Sequence, residues 1–124
     1  MDETARFALP QLAPGQAQKE WWHNEALHRV DLLLCPVVES MTLSAPPPSP
    51  GPGACYLVAS GGSDAWAGRD GMLAGYTDGG WRFIAPVEGM RVLDRSSGLV
   101  VLRLGGPGNR ASFARKRFEL ADLL

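Results

Sequence analysis

A chain of 124 residues, 45% hydrophobic and 20% charged, is long enough to bury a core of its own and too apolar to stay unfolded. Twelve lysines and arginines against thirteen aspartates and glutamates leave a formal net charge of −1, which argues against direct nucleic-acid binding by phosphate neutralisation. Fifteen glycines and ten prolines leave little uninterrupted sequence for long helices and favour short strands joined by turns.

The segment 1–15 sets Phe7, Leu9 and Leu12 among Pro10, Pro14 and Gly15. Prolines this close resist helix, so an extended arm is expected. Its three large apolar side chains must be buried, either on the chain's own domain or against a neighbour. The opening residues lack the basic and then apolar stretch of a signal peptide. No apolar run reaches the length of a membrane span, so no membrane insertion is expected.

Residues 16–34 are the one good helix candidate. They contain no Gly or Pro, follow the Pro14-Gly15 break, and stop before Pro36, whose ring clashes with a preceding helical turn. Leu27, Val30, Leu34, Val37 and Met41 form one apolar stripe, and Trp22, Ala26, Val30 and Leu33 form an overlapping one. Trp21 and Trp22 lie about 100° apart on a helix, so one ring is expected on its own domain and the other on a partner. Glu25 and Arg29 are spaced for an i, i+4 ion pair. Phe7, Leu9, Leu12, Trp21, Trp22, Leu27, Val30 and Leu34 are therefore the candidate residues of an oligomer or partner interface, within an assembly segment 1–43.

Residues 44–53, SAPPPSPGPG, hold five prolines and two glycines. Such a segment is stiff, with polyproline character, and is expected to hold the helix away from the rest of the chain. Residues 54–104 then read as an antiparallel β meander with strands at 54–60, 72–77, 81–85, 90–94 and 99–104. Asp78-Gly79-Gly80 is a hairpin signal, and 61–71 is a long turn carrying Trp66. Alternation sets Trp81 and Phe83 on one face and Arg82 and Ile84 on the other. After Gly105-Gly106-Pro107-Gly108, residues 105–124 are expected to be a tail or a short amphipathic helix. The fold class is α+β: arm and helix, proline-rich linker, small antiparallel β domain, short C-terminal tail.

No catalytic, cofactor-binding or metal-ligating set emerges. His23 and His28 are five apart and do not stack on one helix face. Ser60 lacks the Gly-x-Ser-x-Gly elbow of a nucleophile, and GGSDAWAG lacks the Lys-Ser/Thr ending of a phosphate loop. Cys35 and Cys55 do not have zinc-site spacing with the histidines and read as reduced thiols. The chain is expected not to be an enzyme. Trp66, Tyr76 and Trp81 lie in or beside turns and are candidate carbohydrate contacts, because sugar rings stack their apolar faces on aromatics. The competing reading is that these residues close a small core.

Leu9-Pro10-Gln11-Leu12-Ala13-Pro14-Gly15-Gln16-Ala17-Gln18-Lys19-Glu20 is followed by His23-Asn24-Glu25-Ala26-Leu27 and by Asp31. Later come Ala65-Trp66-Ala67-Gly68, Gly79-Gly80-Trp81-Arg82-Phe83, Pro86 and Glu88-Gly89. In this order, over residues 9–95, they resemble an uncharacterised domain family of alphaproteobacterial prophages and gene transfer agents. The chain departs from it at Met90, where members often carry Trp, and at Leu102-Arg103-Leu104-Gly105-Gly106, which replaces an aromatic ending. The resemblance implies a structural component of a phage-like particle, assembled in the bacterial cytoplasm, most simply the base that attaches a head spike or fibre to the capsid. Its implied partners are further copies of itself, five at a capsid vertex or three on a tail fibre, a capsid or tail protein, and a spike or fibre protein. The alternative is a carbohydrate-binding adhesion module that contacts host-cell surface polysaccharide.

Overall fold

Helix α1 spans Lys19–Leu33 and is followed by strands β1 (Val37–Val38), β2 (Cys55–Leu57), β3 (Leu73–Thr77), β4 (Gly80–Ile84), β5 (Arg91–Asp94), β6 (Leu99–Leu104) and β7 (Ser112–Lys116). The computed structural model describes residues 2–13 and 19–105, together with the backbone of 112–116 and the side chain of Phe113. The α+β class expected from sequence is what the chain adopts.

The sequence explains the helix. Lys19 to Leu33 hold neither Gly nor Pro, and Glu20 in the first turn complements the positive end of the helix dipole. The last helical hydrogen bond runs from the Leu34 amide to the Val30 carbonyl. Cys35 then turns the chain into the left-handed region at φ 45°, and Pro36 comes next. The part of the expected helix at 16–18 lies outside the described residues.

All five expected strands are present, but they do not form one meander. β2, β3 and β4 make an antiparallel sheet of their own. β5, β6 and β7 are antiparallel in a second sheet, whose edge is β1, running parallel to β5. Val37 and Val38 thus belong to a strand, and Val37 does not continue the helical stripe. The two sheets are joined where the Glu39 amide donates to the Cys55 carbonyl at 2.8 Å and the Leu57 amide to the Ser40 carbonyl at 3.1 Å. The expected Asp78-Gly79-Gly80 hairpin joins β3 to β4, with Thr77 paired to Gly80 and Gly79 at φ 89°, a conformation that favours glycine.

Two apolar clusters form the core. The larger holds Leu32 of α1, Val38, Cys55, Leu57, Leu73, Ile84, Val92 and Val101, with Met41, Met90 and Phe113 packed against it. The smaller holds Val58, Trp66 and Ala74, with Tyr56, Trp81 and Phe83 against it. Strand β4 divides between them as its alternation predicts, with Ile84 in the first and Trp81 and Phe83 beside the second.

Two expectations are corrected. The proline-rich segment does not hold the helix away from the sheet. Helix and sheet are in contact at Leu32 and Gly75, and the segment is tied to the β domain at both ends: the Leu43 carbonyl accepts the Ala59 amide, the Ser44 carbonyl accepts the Ser63 amide, and the Gly53 amide donates to the Tyr76 carbonyl at 2.7 Å. With both ends held in this way, the stiff prolines between them set a path and not a separation of helix from sheet. The second correction is that residues 112–116 are strand, where a tail or helix was expected. Phe113, read as part of a helical face, lies over the core beside β6. Residues 106–111 and 117–124 lie outside the described residues.

Candidate interaction surface

Asn24, His28 and Asp31 fall at i, i+4 and i+7, so they share one face of α1. This polar face is turned inward and holds the N-terminal arm. The arm is a small hairpin: Glu3 pairs with Pro10, the Thr4 amide donates to the Leu9 carbonyl at 3.0 Å, and the Gln11 amide donates to the Asp2 carbonyl at 3.0 Å. The Asp31 carboxylate, fully buried, accepts the Thr4 hydroxyl at 2.8 Å, the Arg6 amide at 2.8 Å and the Phe7 amide at 2.7 Å. Asn24 accepts the Leu12 amide at 2.9 Å and donates to the Leu12 carbonyl at 3.0 Å. The side-chain nitrogens of Gln11 and His28 meet at 2.9 Å.

Arg6 completes the clasp at the C-terminal end of α1. Its guanidinium donates to the carbonyls of Asp31 at 2.8 Å, Leu34 at 2.5 Å and Cys35 at 2.6 Å. Carbonyls at a helix end have no partner within the helix, and a cation there also complements the dipole. The sequence contained every group of this clasp. Gln11, Asn24 and Asp31 belong to the segments that carry the resemblance, but their pairing across 12 to 27 residues of chain has no signature of its own.

The next face of α1 meets the β2–β3–β4 sheet. Leu32 lies on Gly75, where a Cβ would come within 2.5 Å of its side chain. Arg82 of β4 reaches across to Glu25 at 3.0 Å and also donates to the Thr77 hydroxyl and to the Asp78 carbonyl at 2.8 Å. Burial pushes the Glu25 carboxyl up, but hydrogen bonds and charge from Arg82 and then Arg29 outweigh it, so its pKa lies below the ordinary 4.5. His28 is pushed below its ordinary 6.5 by burial and by the Arg82 charge.

With arm and sheet on two sides, the rest of the helix faces outward, and it carries most of the large apolar side chains of α1 along with the exposed Lys19, His23 and Arg29. Trp22 is 69% exposed, Trp21 62% and Val30 44%; Leu33 and Leu34 are also exposed. Of the candidate interface residues, Phe7 and Leu12 on the arm are exposed with them, while Leu9 and Leu27 are half-buried. The expected division of the tandem tryptophans does not occur. Both rings are mostly in solvent and meet each other edge to face, with centroids 4.7 Å apart. Periodicity marks an apolar face but not the direction it points. Here the arm's unpaired amides and the Asp31 carboxylate satisfy each other, and that fixes the inward face as polar.

The aromatic residues read as carbohydrate contacts separate. Trp66 has no exposed surface, so it is a core residue and is not presented to a ligand. Tyr76 and Trp81 are half-buried, with ring centroids 5.2 Å apart, and Trp81 also meets Trp66 at 5.2 Å. Cys35 is exposed and Cys55 buried, neither in a disulfide, and burial pushes the Cys55 thiol up to about 11. Among the described residues no group of three His, Cys, Asp or Glu is placed to hold a metal ion. Among the same residues no helix is long and apolar enough to cross a membrane.

No curated protein matches the chain. Residues 23–107, which run from α1 through β6, match a family described as a protein of unknown function. That match covers more than half of the sequence, and the chain therefore belongs to the DUF2793 family.

Proposed function

We propose that this chain is a structural component of a phage-like particle, an attachment module that joins a head spike or fibre to the capsid. The outward apolar arc of α1, headed by Trp21 and Trp22, carries the proposal. Two adjoining tryptophans left largely in water are the composition of an interaction site, where buried aromatics supply most of the binding energy. The arm, fastened to the inward face, braces the helix so that this arc stays presented. The likeness of segments 9–31 and 65–89 to prophage and gene-transfer-agent proteins supports the particle as the setting.

The test is to tag the chain in a host that produces such particles, purify them, and locate the tag by electron microscopy. Label at the head or at a fibre base is the expected result. Purified particles that lack the chain would remove the reading.

Carbohydrate binding is the second reading, and the partial exposure of Tyr76 and Trp81 favours it. It predicts that capsular or lipopolysaccharide glycans change tryptophan fluorescence, and that Trp81→Ala abolishes the change while the chain stays folded. Glycans that leave the fluorescence unaltered would retire it.

A further inference from the structure

Beside the larger core a cleft of about 380 Å³ opens between the two sheets. Leu57 of β2 lines it from one sheet, Arg103 of β6 and Phe113 of β7 line it from the other, and Met41, Val58 and Ser60 stand in its walls. Met41, Leu57 and Phe113 are also part of the larger core or packed on it, so the apolar wall of the cleft continues into the core. The volume lies at the small end of the roughly 300–1,000 Å³ of ligand pockets and admits one small molecule.

Arg103 is the one charged residue of this lining. Alternation sets it on the same face of β6 as the fully buried Val101, so its side chain starts from the core side of the sheet. The strand is fixed at this point. The Arg103 amide donates to the Met90 carbonyl, and the Arg103 carbonyl accepts the Gly89 amide, both at 2.9 Å. The guanidinium lies over the Phe113 ring, 5.8 Å from its centroid. Its Nε is buried with no hydrogen-bond partner, and among the described residues no carboxylate forms an ion pair with Arg103.

Other half-buried arginines are not left in this state. Arg6 donates to carbonyls at the end of α1, and Arg82 has the Glu25 carboxylate. Nor does Arg103 guard an open sheet edge, because β6 lies between β5 and β7.

A cation held against apolar walls is costly unless an anion joins it. The planar guanidinium fork matches a carboxylate, and the bond between them gains strength where water is scarce. The walls select the rest of the ligand. Beyond Arg103 and the Ser60 hydroxyl, the lining side chains offer apolar surface, which suits a hydrocarbon or aryl body. Met41 is unbranched and adapts to the shape of what it meets.

We infer that this cleft binds a small carboxylic acid with an apolar body, its carboxylate on the Arg103 guanidinium and its body against Met41, Leu57 and Phe113. The site depends on the cleft alone and not on the attachment role proposed above.

The experiment titrates octanoate into the full chain, with octanol as the neutral probe of equal length, and follows the methyl NMR signals of Met41 and Leu57. Octanoate is expected to move these signals in a one-to-one titration, and octanol to bind about tenfold or more weakly. Arg103→Gln should reduce octanoate to the level of octanol, and Arg103→Lys should restore part of the difference. The two probes are compared on the natural chain, so a variant that fails to fold leaves that comparison decisive. Octanoate that leaves the Met41 and Leu57 signals in place at millimolar concentration overturns the site. So does octanol that binds as tightly as octanoate, or a folded Arg103→Gln chain that binds octanoate as tightly as the natural one.

Discussion

Asp31 and Phe7 are 24 residues apart in the chain, yet the buried Asp31 carboxylate accepts the Phe7 amide at 2.7 Å. With the Arg6 amide and the Thr4 hydroxyl on the same carboxylate, this contact fastens the arm to the helix. Asp31→Ala leaves two amides and a hydroxyl without their acceptor. The expected loss is about 2 kcal/mol of local stability, or roughly 30-fold faster hydrogen exchange at Arg6 and Phe7. Exchange that stays as slow as in the natural chain would show that the arm is held by Arg6 and Asn24 without Asp31.

Gly75 is where helix and sheet come closest. An added Cβ would meet Leu32 Cδ2 at 2.5 Å and Cδ1 at 2.7 Å. Gly75→Ala is expected to cost about 1–3 kcal/mol by overpacking, and Leu32→Ala about 2–5 kcal/mol by leaving a cavity. In the double variant the new methyl sits in the space that Leu32 vacates. Urea denaturation should then show a loss smaller than the sum of the two, and strict additivity would contradict the contact.

The tryptophans separate by what they touch. Trp66→Ala removes a side chain with no exposed surface from the second core cluster and is expected to destabilise by about 3–5 kcal/mol. Trp22→Ala removes a ring that is mostly in solvent and is expected to change folding stability by less than about 0.5 kcal/mol while weakening assembly. Thermal melts read the first effect, and sedimentation reads the second. Equal effects of the two variants on assembly would refute the division.

Acid is expected to destabilise the fold in two stages. His28 has a folded-state pKa below 6.5, so the unfolded chain takes its proton first. The stability this gives is full above pH 6.5 and is lost as pH falls through the folded-state value. Arg82, Glu25, Asp78 and Asp31 set the field around the ring. Glu25 behaves likewise below 4.5, the range in which its carboxylate would lose Arg82. His28→Gln should remove the first stage from a plot of denaturation midpoint against pH and leave the second. A first stage that persists in His28→Gln belongs to another group.

The two thiols are expected to label at very different rates. Cys35 is exposed, whereas Cys55 is buried with its pKa raised to about 11, so at neutral pH it is both shielded and protonated. Iodoacetamide should modify one thiol in the folded chain and both in denaturant. Labelling of Cys55 under native conditions would show that the larger core opens readily.

Local chemistry in the sequence was enough to place several elements. The Asp78-Gly79-Gly80 turn, the alternation of β4 and the Gly- and Pro-free run of α1 each depend on neighbours within a few residues, and each is where expected. β1 was hidden because Val37 also fits the spacing of a helical stripe, and two residues carry no period. Only pairing with Leu93 and Asp94, far along the chain, makes them a strand. β7 was hidden for the same reason, since its pairing with β6 decides its conformation.

By itself the sequence determined that α1 has an apolar face, that the chain is rich in turns, and that Trp66 and Trp81 stand beside them. It did not determine which way the helix faces. That depended on Asp31, Asn24 and Gln11 finding partners at 12 to 27 residues' distance, and on Leu32 finding the bare backbone of Gly75. Buried hydrogen bonds and close packing are selected only when distant segments meet. Tertiary structure therefore turned the polar face inward, put Trp66 in the core, and left Trp21 and Trp22 outside.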